Sequence, residues 1–112
     1  MPKPEIGPQQ HSYLYLMEFI SGYRTEQRDF EIKNIRFGEK FLIFTLDLKF
    51  RPRTELEVKM LAMDMVLGLS EEYPELESIN IDASRDSGEG SLLTYGSAVY
   101  SGEDKSISWK FR

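Results

Sequence analysis

The side chains in this chain that could do chemistry are arginines, carboxylates and a single histidine, and their spacing decides how far each can be taken. Asp82, Ser84 and Asp86 stand at alternate positions in DASRDSGEG, as the first ligands of a calcium loop do. The sixth and twelfth places of such a loop call for a glycine and a bidentate glutamate, and here they hold Ser87 and Leu93. A solvated acidic turn shaped by Gly88 and Gly90 is therefore expected, with no metal and no cofactor. His11 lies in a proline-rich stretch away from any patterned carboxylate, so a nucleophile and base have no anchor and no catalytic residue is nominated.

Arg51 and Arg53 bracket Pro52 immediately before a helix start. Guanidinium forks and free backbone N–H groups converge at such a place, which makes it a candidate anion site in competition with simple pairing to Glu55 or Glu57. Tyr13, Tyr15, Tyr95, Tyr100 and Trp109 fall in strand-like segments and would suit a stacking platform for single-stranded nucleic acid. The segments YLYLMEFI and LLTYGSAVY lack basic interleaving, so these rings are assigned to packing and nucleic acid is not an expected partner.

The elements that must position these residues begin with a helix over Glu55–Tyr73, ELEVKMLAMDMVLGLSEEY. At about 100° per residue, Glu57, Asp64, Gly68 and Glu71 fall on one narrow line. Leu56, Val58, Met60, Ala62, Met63, Met65, Val66, Leu67 and Leu69 take most of the remaining circumference. Such a helix needs cover on more than one side, so a surplus apolar flank is left for a second layer, a partner chain or a ligand. Thr54 is its expected N-cap, Glu55 and Glu57 suit the positive end of its dipole, and Pro74 stops it.

Around this helix the period-2 pattern predicts six strands in the order βββ-α-βββ. The first, from Tyr13 to Ile20, carries bulky residues in both phases and reads as a strand covered on both faces. The second runs from about Arg28 to Phe37, with a β-bulge near Lys33 and Asn34 that keeps Phe30, Ile32, Ile35 and Phe37 on one side. Gly38-Glu39 is expected to turn in type II′ geometry with Gly38 at positive φ. The third strand alternates strictly from Leu42 through Phe44, Leu46 and Leu48 to Phe50, which leaves Thr45, Asp47 and Lys49 on a solvated face. Ile79, Ile81 and Ala83 mark the fourth strand, Leu92–Tyr100 the fifth, and Ile107, Trp109 and Phe111 the inward face of the sixth. An α+β fold follows: a six-stranded, mostly antiparallel sheet with one central helix packed on one face. The endings LKFR and WKFR hint faintly at two βββ halves.

At 112 residues the chain suits one domain, read as a flexible lead over 1–12 and a folded unit over 13–112. Its net charge of -5 disfavours binding to nucleic acid or anionic membrane through non-specific charge. The segment MPKPEIGPQQHS has no apolar run, and cysteine is absent, both compatible with a cytoplasmic protein without a membrane anchor. The expected function is a non-enzymatic, protein-binding or self-associating (homo-oligomeric) domain whose interface draws on Met60, Met63, Val66, Leu67, Tyr13 and Tyr15. An apolar-ligand binder or enzyme with a pocket lined by Met63, Val66, Phe44 and Trp109 is the alternative. A nucleic-acid module using Arg51, Arg53 and the aromatic residues comes third. Leu46, in the middle of the strictly alternating strand, is the residue placed most firmly in the core. Truncating it to alanine should cost about 2–5 kcal/mol in chemical denaturation, through lost transfer energy and an unfilled cavity.

Overall fold

The computed structural model describes residues 13–86, 88, 90 and 92–111; His11 and the lead over 1–12 lie outside the described residues. The elements are α1 (Tyr13–Ser21), β1 (Phe30–Phe37), β2 (Phe41–Leu48), α2 (Glu55–Glu72), β3 (Ser78–Asp86), β4 (Leu92–Ser101) and β5 (Ser106–Phe111). The class is α+β, with two helices and a mixed five-stranded sheet in the order β1-β2-β3-β4-β5.

The alternation of β2 builds the centre of the core. Leu42, Phe44, Leu46 and Leu48 are buried, and the parallel register sets Leu42 beside Ile79, Phe44 beside Ile81 and Leu46 beside Ala83. Tyr100 and Ala98 continue the same face from β4, and Ile107 and Trp109 from β5. On the other side, Phe30 pairs with Leu48 and Ile32 with Leu46. The expected bulge is present: the register shifts between Lys33 and Arg36, with Asn34 at φ 55°, and Phe37 returns opposite Leu42. Asn is among the few side-chain-bearing residues that adopt this left-handed conformation at low cost.

This architecture corrects several expectations. The segment from Tyr13 to Ile20 is helical, because apolar residues at nearly every position satisfy a helical face as well as two strand faces. Leu16 and Ile20, four apart and therefore on one side of a helix, are both fully buried. Among the described residues the sheet accordingly has five strands, not six, and there are two helices rather than one. Three of its four strand pairs are antiparallel, in keeping with a mostly antiparallel sheet, and the central pair is parallel: β2 and β3 are joined through α2, as a parallel pair requires a long crossover that brings the chain back to the same end of the sheet. Finally, Gly38 is not at positive φ. A Cβ there would lie 2.5 Å from the Phe41 ring, so this glycine is explained by close approach of an aromatic side chain. The LKFR and WKFR endings are not equivalent either, since β2 ends at Leu48 while Trp109, Lys110 and Phe111 all lie within β5.

The cap of α2 is as expected. Thr54 is extended, and its Oγ1 accepts the Glu57 N–H at 3.3 Å; Tyr73 closes the helix by donating its N–H to the Leu69 carbonyl. The second layer that α2 requires is supplied on one flank by α1. The Tyr15 hydroxyl donates to the Glu72 carboxylate, and Phe19 and Tyr23 pack at Gly68, which makes the two helices antiparallel. Burial raises the pKa of the Tyr23 phenol, and the nearby charges of Asp64 and Glu71 raise it further.

Gly68 therefore marks a docking point on what reads in sequence as a polar line, since the Tyr23 hydroxyl occupies the place a Cβ would take. Gly→Ala in a helix ordinarily gains about 1 kcal/mol, but here overpacking costs about 1–3 kcal/mol. Gly68→Ala should therefore destabilise. Adding Tyr23→Phe should recover part of that loss, measured as denaturation midpoints of the two single variants and the double variant.

Candidate functional site

Each helix and the sheet leave distinct surfaces to solvent. On α2, Val58, Leu61, Ala62, Met65, Val66 and Leu69 are buried against the sheet. Directly opposite, Leu56 is 60% exposed, Met60 53% and Leu67 48%, while Met63 is half-buried beside them. These four residues follow one another at intervals of four, three and four, the seam of a helix that packs along another helix. Asp64 and Glu71 border the seam, exposed and without an ion pair among the described residues. Leu14 and Tyr15 add exposed apolar surface from α1.

Of the expected interface residues, Met60, Met63 and Leu67 lie together on this face, and Tyr15 is on α1 with its hydroxyl bound to Glu72. Val66 does not belong to it. That side chain is fully buried, because the sheet, and not a partner, covers its side of the helix. The side chain of Tyr13 lies outside the described residues. Leu56 was not among the expected interface residues, although its heptad interval to Met60 and Met63 was a readable signal.

At the N-terminal end of α2, a cleft of about 540 Å³ is lined by Tyr23, Thr25, Gln27, Arg28, Phe50, Arg51, Arg53 and Glu57. A neighbouring groove of about 470 Å³ carries Arg28, Arg53 and Glu57 on to Leu56, Met60 and Asp64. The cleft is organised by Glu57. Its Oε1 accepts the backbone N–H of Arg53 at 2.9 Å, and its Oε2 meets Arg28 Nε at 3.2 Å. The Arg53 backbone N–H holds the Glu57 carboxyl below its usual range; burial opposes this, and Arg28 adds to the lowering. Glu57 thus engages the main chain of Arg53. Among the described residues the guanidinium groups of Arg51 and Arg53 form no ion pair, so the cleft keeps an uncompensated positive character. Arg28 completes the cluster and was not singled out from sequence, since it arrives from the loop before β1.

The uncovered face of the sheet carries polar and charged side chains alongside Phe41, Ile43 and Val99. Asp47 lies there, as expected, but it is only 4% exposed, which corrects the expectation of a solvated side chain. The stems of Lys33 and Lys49 shield it, with their ammonium groups 2.9 and 3.0 Å from Oδ2, while Oδ1 is buried without a hydrogen bond. Asp82 accepts from Ser97 Oγ and, at 3.2 Å, from Asn80 Nδ2. The residues with calcium-like spacing, Asp82, Ser84 and Asp86, are thus part of strand β3. Among the described residues no group of three or more acidic or histidine side chains is placed to hold a metal ion. Tyr100 and Trp109, two of the proposed stacking residues, lie on the helix-covered side of the sheet.

Comparison of the chain with protein-family models, with curated proteins and with solved structures finds no match. Among the described residues no helix is long and apolar enough to cross a membrane.

Burial alone would raise the pKa of Asp47, but hydrogen bonds from Lys33 and Lys49, and their charges, outweigh it and hold the carboxyl below its usual range. A depressed folded-state pKa contributes stability that is present above the unfolded value, about 3.9, and is lost as pH falls through the folded one. Asp47→Asn should therefore be less stable than wild type at neutral pH, by on the order of 1 kcal/mol. The gap should narrow as pH falls below about 4. Urea denaturation across that range checks it, and a pH-independent gap would show that the lysine contacts do not stabilise the fold.

Proposed function

We propose that this protein is a non-enzymatic, self-associating interaction domain that docks through the outer face of α2. The observation that carries the reading is the line Leu56, Met60, Met63 and Leu67, three of whose members are about half exposed or more on the side of the helix facing away from the sheet. An exposed apolar seam of this kind costs solvation free energy unless another surface covers it. Methionine in the middle of the seam suits a helix-on-helix contact, because its unbranched side chain adapts to irregular gaps. The sheet edges are less suited to pairing. β1 is bent by its bulge at Asn34, and β5 is six residues long and presents Lys110.

The alternative of an apolar pocket between helix and sheet has less support, since Phe44 and Val66 from its proposed lining are fully buried in the packed core. Nucleic-acid binding through the open sheet face has less support, since Tyr100 and Trp109 lie on the helix-covered side.

The test is analytical ultracentrifugation up to high micromolar concentration. Wild type should shift from monomer to dimer as concentration rises. Leu67→Lys should stay monomeric at the same concentrations with an unchanged unfolding midpoint, since Leu67 is largely solvent-exposed and a lysine there has Asp64 and Glu71 on adjacent turns. A wild-type monomer throughout would overturn the reading.

A further inference from the structure

Resting on that reading, we infer that the occupant of the α2 face is a second copy of this chain, bound with its α2 antiparallel to the first about a two-fold axis opposite the midpoint between Leu61 and Ala62. Two independent observations specify this arrangement. The seam is symmetric about that midpoint: Leu56 and Leu67 lie at equal distances from it, and so do Met60 and Met63. An antiparallel two-fold pair therefore sets Leu56 against the partner copy's Leu67 at both ends, and Met60 against its Met63 in the middle, so that every seam residue meets another. α2 has 18 residues, so this contact runs about 27 Å at 1.5 Å per residue.

The second observation is the charge along the helix. The groove that reaches the seam at its N-terminal end is lined by Arg28, Arg53 and Glu57, with Asp64 on the same side; Glu57 pairs with Arg28, which leaves Arg53 as the unpaired cation there. Glu71 follows Asp64 on that flank two turns later. In a two-fold antiparallel pair, like flanks adjoin and opposite ends meet. Arg53 of one copy then faces Glu71 of the other, and the same contact recurs at the far end. In a parallel two-fold pair opposite flanks adjoin, so Arg53 and Glu71 would each face the partner's other flank and this contact would be lost. Arg53 and Glu71 have no ion-pair partner within the described residues of the chain, so both are available for this contact. The apolar seam supplies the driving force, and the charges select the direction.

The chain has no cysteine, which makes site-directed cross-linking unambiguous. Leu56→Cys and Leu67→Cys proteins, mixed and treated with a bis-maleimide whose spacer is shorter than about 10 Å, should cross-link to each other. Neither should cross-link efficiently to itself, because identical positions lie about 16 Å apart along antiparallel helices. Glu71→Arg should weaken the dimer about five- to tenfold, and Arg53→Glu in the same chain should restore most of that loss. Circular dichroism and unfolding midpoints confirm that each variant folds. A dimer in which Leu56→Cys cross-links to itself, or in which the charge reversal has no effect, would overturn the antiparallel arrangement while leaving self-association intact. A strict monomer would overturn both and assign the seam to a different protein chain.

Discussion

α2 is apolar over more of its circumference than one sheet face can cover, and the organisation of the molecule follows from how that arc is divided. The sheet takes Val58, Leu61, Ala62, Met65, Val66 and Leu69. α1 takes the flank at Gly68 and Glu72, where a missing Cβ lets Tyr23 close in and a carboxylate holds Tyr15. What remains is the outer seam of Leu56, Met60, Met63 and Leu67. Since α2 is also the crossover between the parallel strands β2 and β3, its position over the sheet is set by connectivity as much as by packing. Loss of the α1 contact would expose a second side of the same helix, so the two helices and the central strand pair are mutually dependent.

The sheet divides the molecule into two environments. Its helix-covered face is continuous and apolar, whereas the other face carries Asp47, Asn80, Asp82, Ser84 and Ser97 in adjoining register positions. Much of their polarity is met locally: Asp47 Oδ2 holds two lysines, although its Oδ1 is buried without a hydrogen bond, and Asp82 accepts from Ser97 and Asn80. A side chain can thus lie on the uncovered face and still be shielded, because a lysine stem covers what no helix does. Carboxylates engaged in this way hold the surface in shape.

How much of this was legible depended on whether a segment admits one period or two. The strict alternation of Leu42, Phe44, Leu46 and Leu48 allows only a strand, and the phase change between Ile32 and Ile35 requires the bulge that Asn34 forms. Thr54 and Pro74 bound α2 through cap and breaker chemistry that acts within a few residues. YLYLMEFI fails as a signal because its apolar residues fill both strand faces and a helix face alike. Only the need of α2 for cover, itself readable, determines what that segment does. The parallel pairing of β2 and β3 was implicit in a strand–helix–strand order, but sheet order depends on long-range neighbours that local patterns do not contain. On the candidate surface, Met60, Met63 and Leu67 were legible from the width of the apolar arc. Val66 was misassigned because a helical projection does not show which side the sheet will cover, and Arg28 joins Arg51 and Arg53 only through the fold.

Net charge and local charge act in opposite directions on the proposed association. Two copies at -5 each repel at separations beyond contact, which slows encounter. At contact, the unpaired guanidinium groups of Arg51 and Arg53 lie near one end of the seam and Glu71 near the other, so a partner in the antiparallel sense would meet attraction at both ends. Added salt screens the long-range repulsion and the exposed pairs alike, whereas the apolar seam is little affected by either. The affinity of such a dimer therefore rests on Leu56, Met60, Met63 and Leu67, and its ionic-strength dependence reflects a balance between whole-chain repulsion and the end contacts. In the proposed dimer the acidic character of the chain would oppose non-specific encounter, and the arginines beside α2 would favour the antiparallel sense, so the two would act against different wrong outcomes.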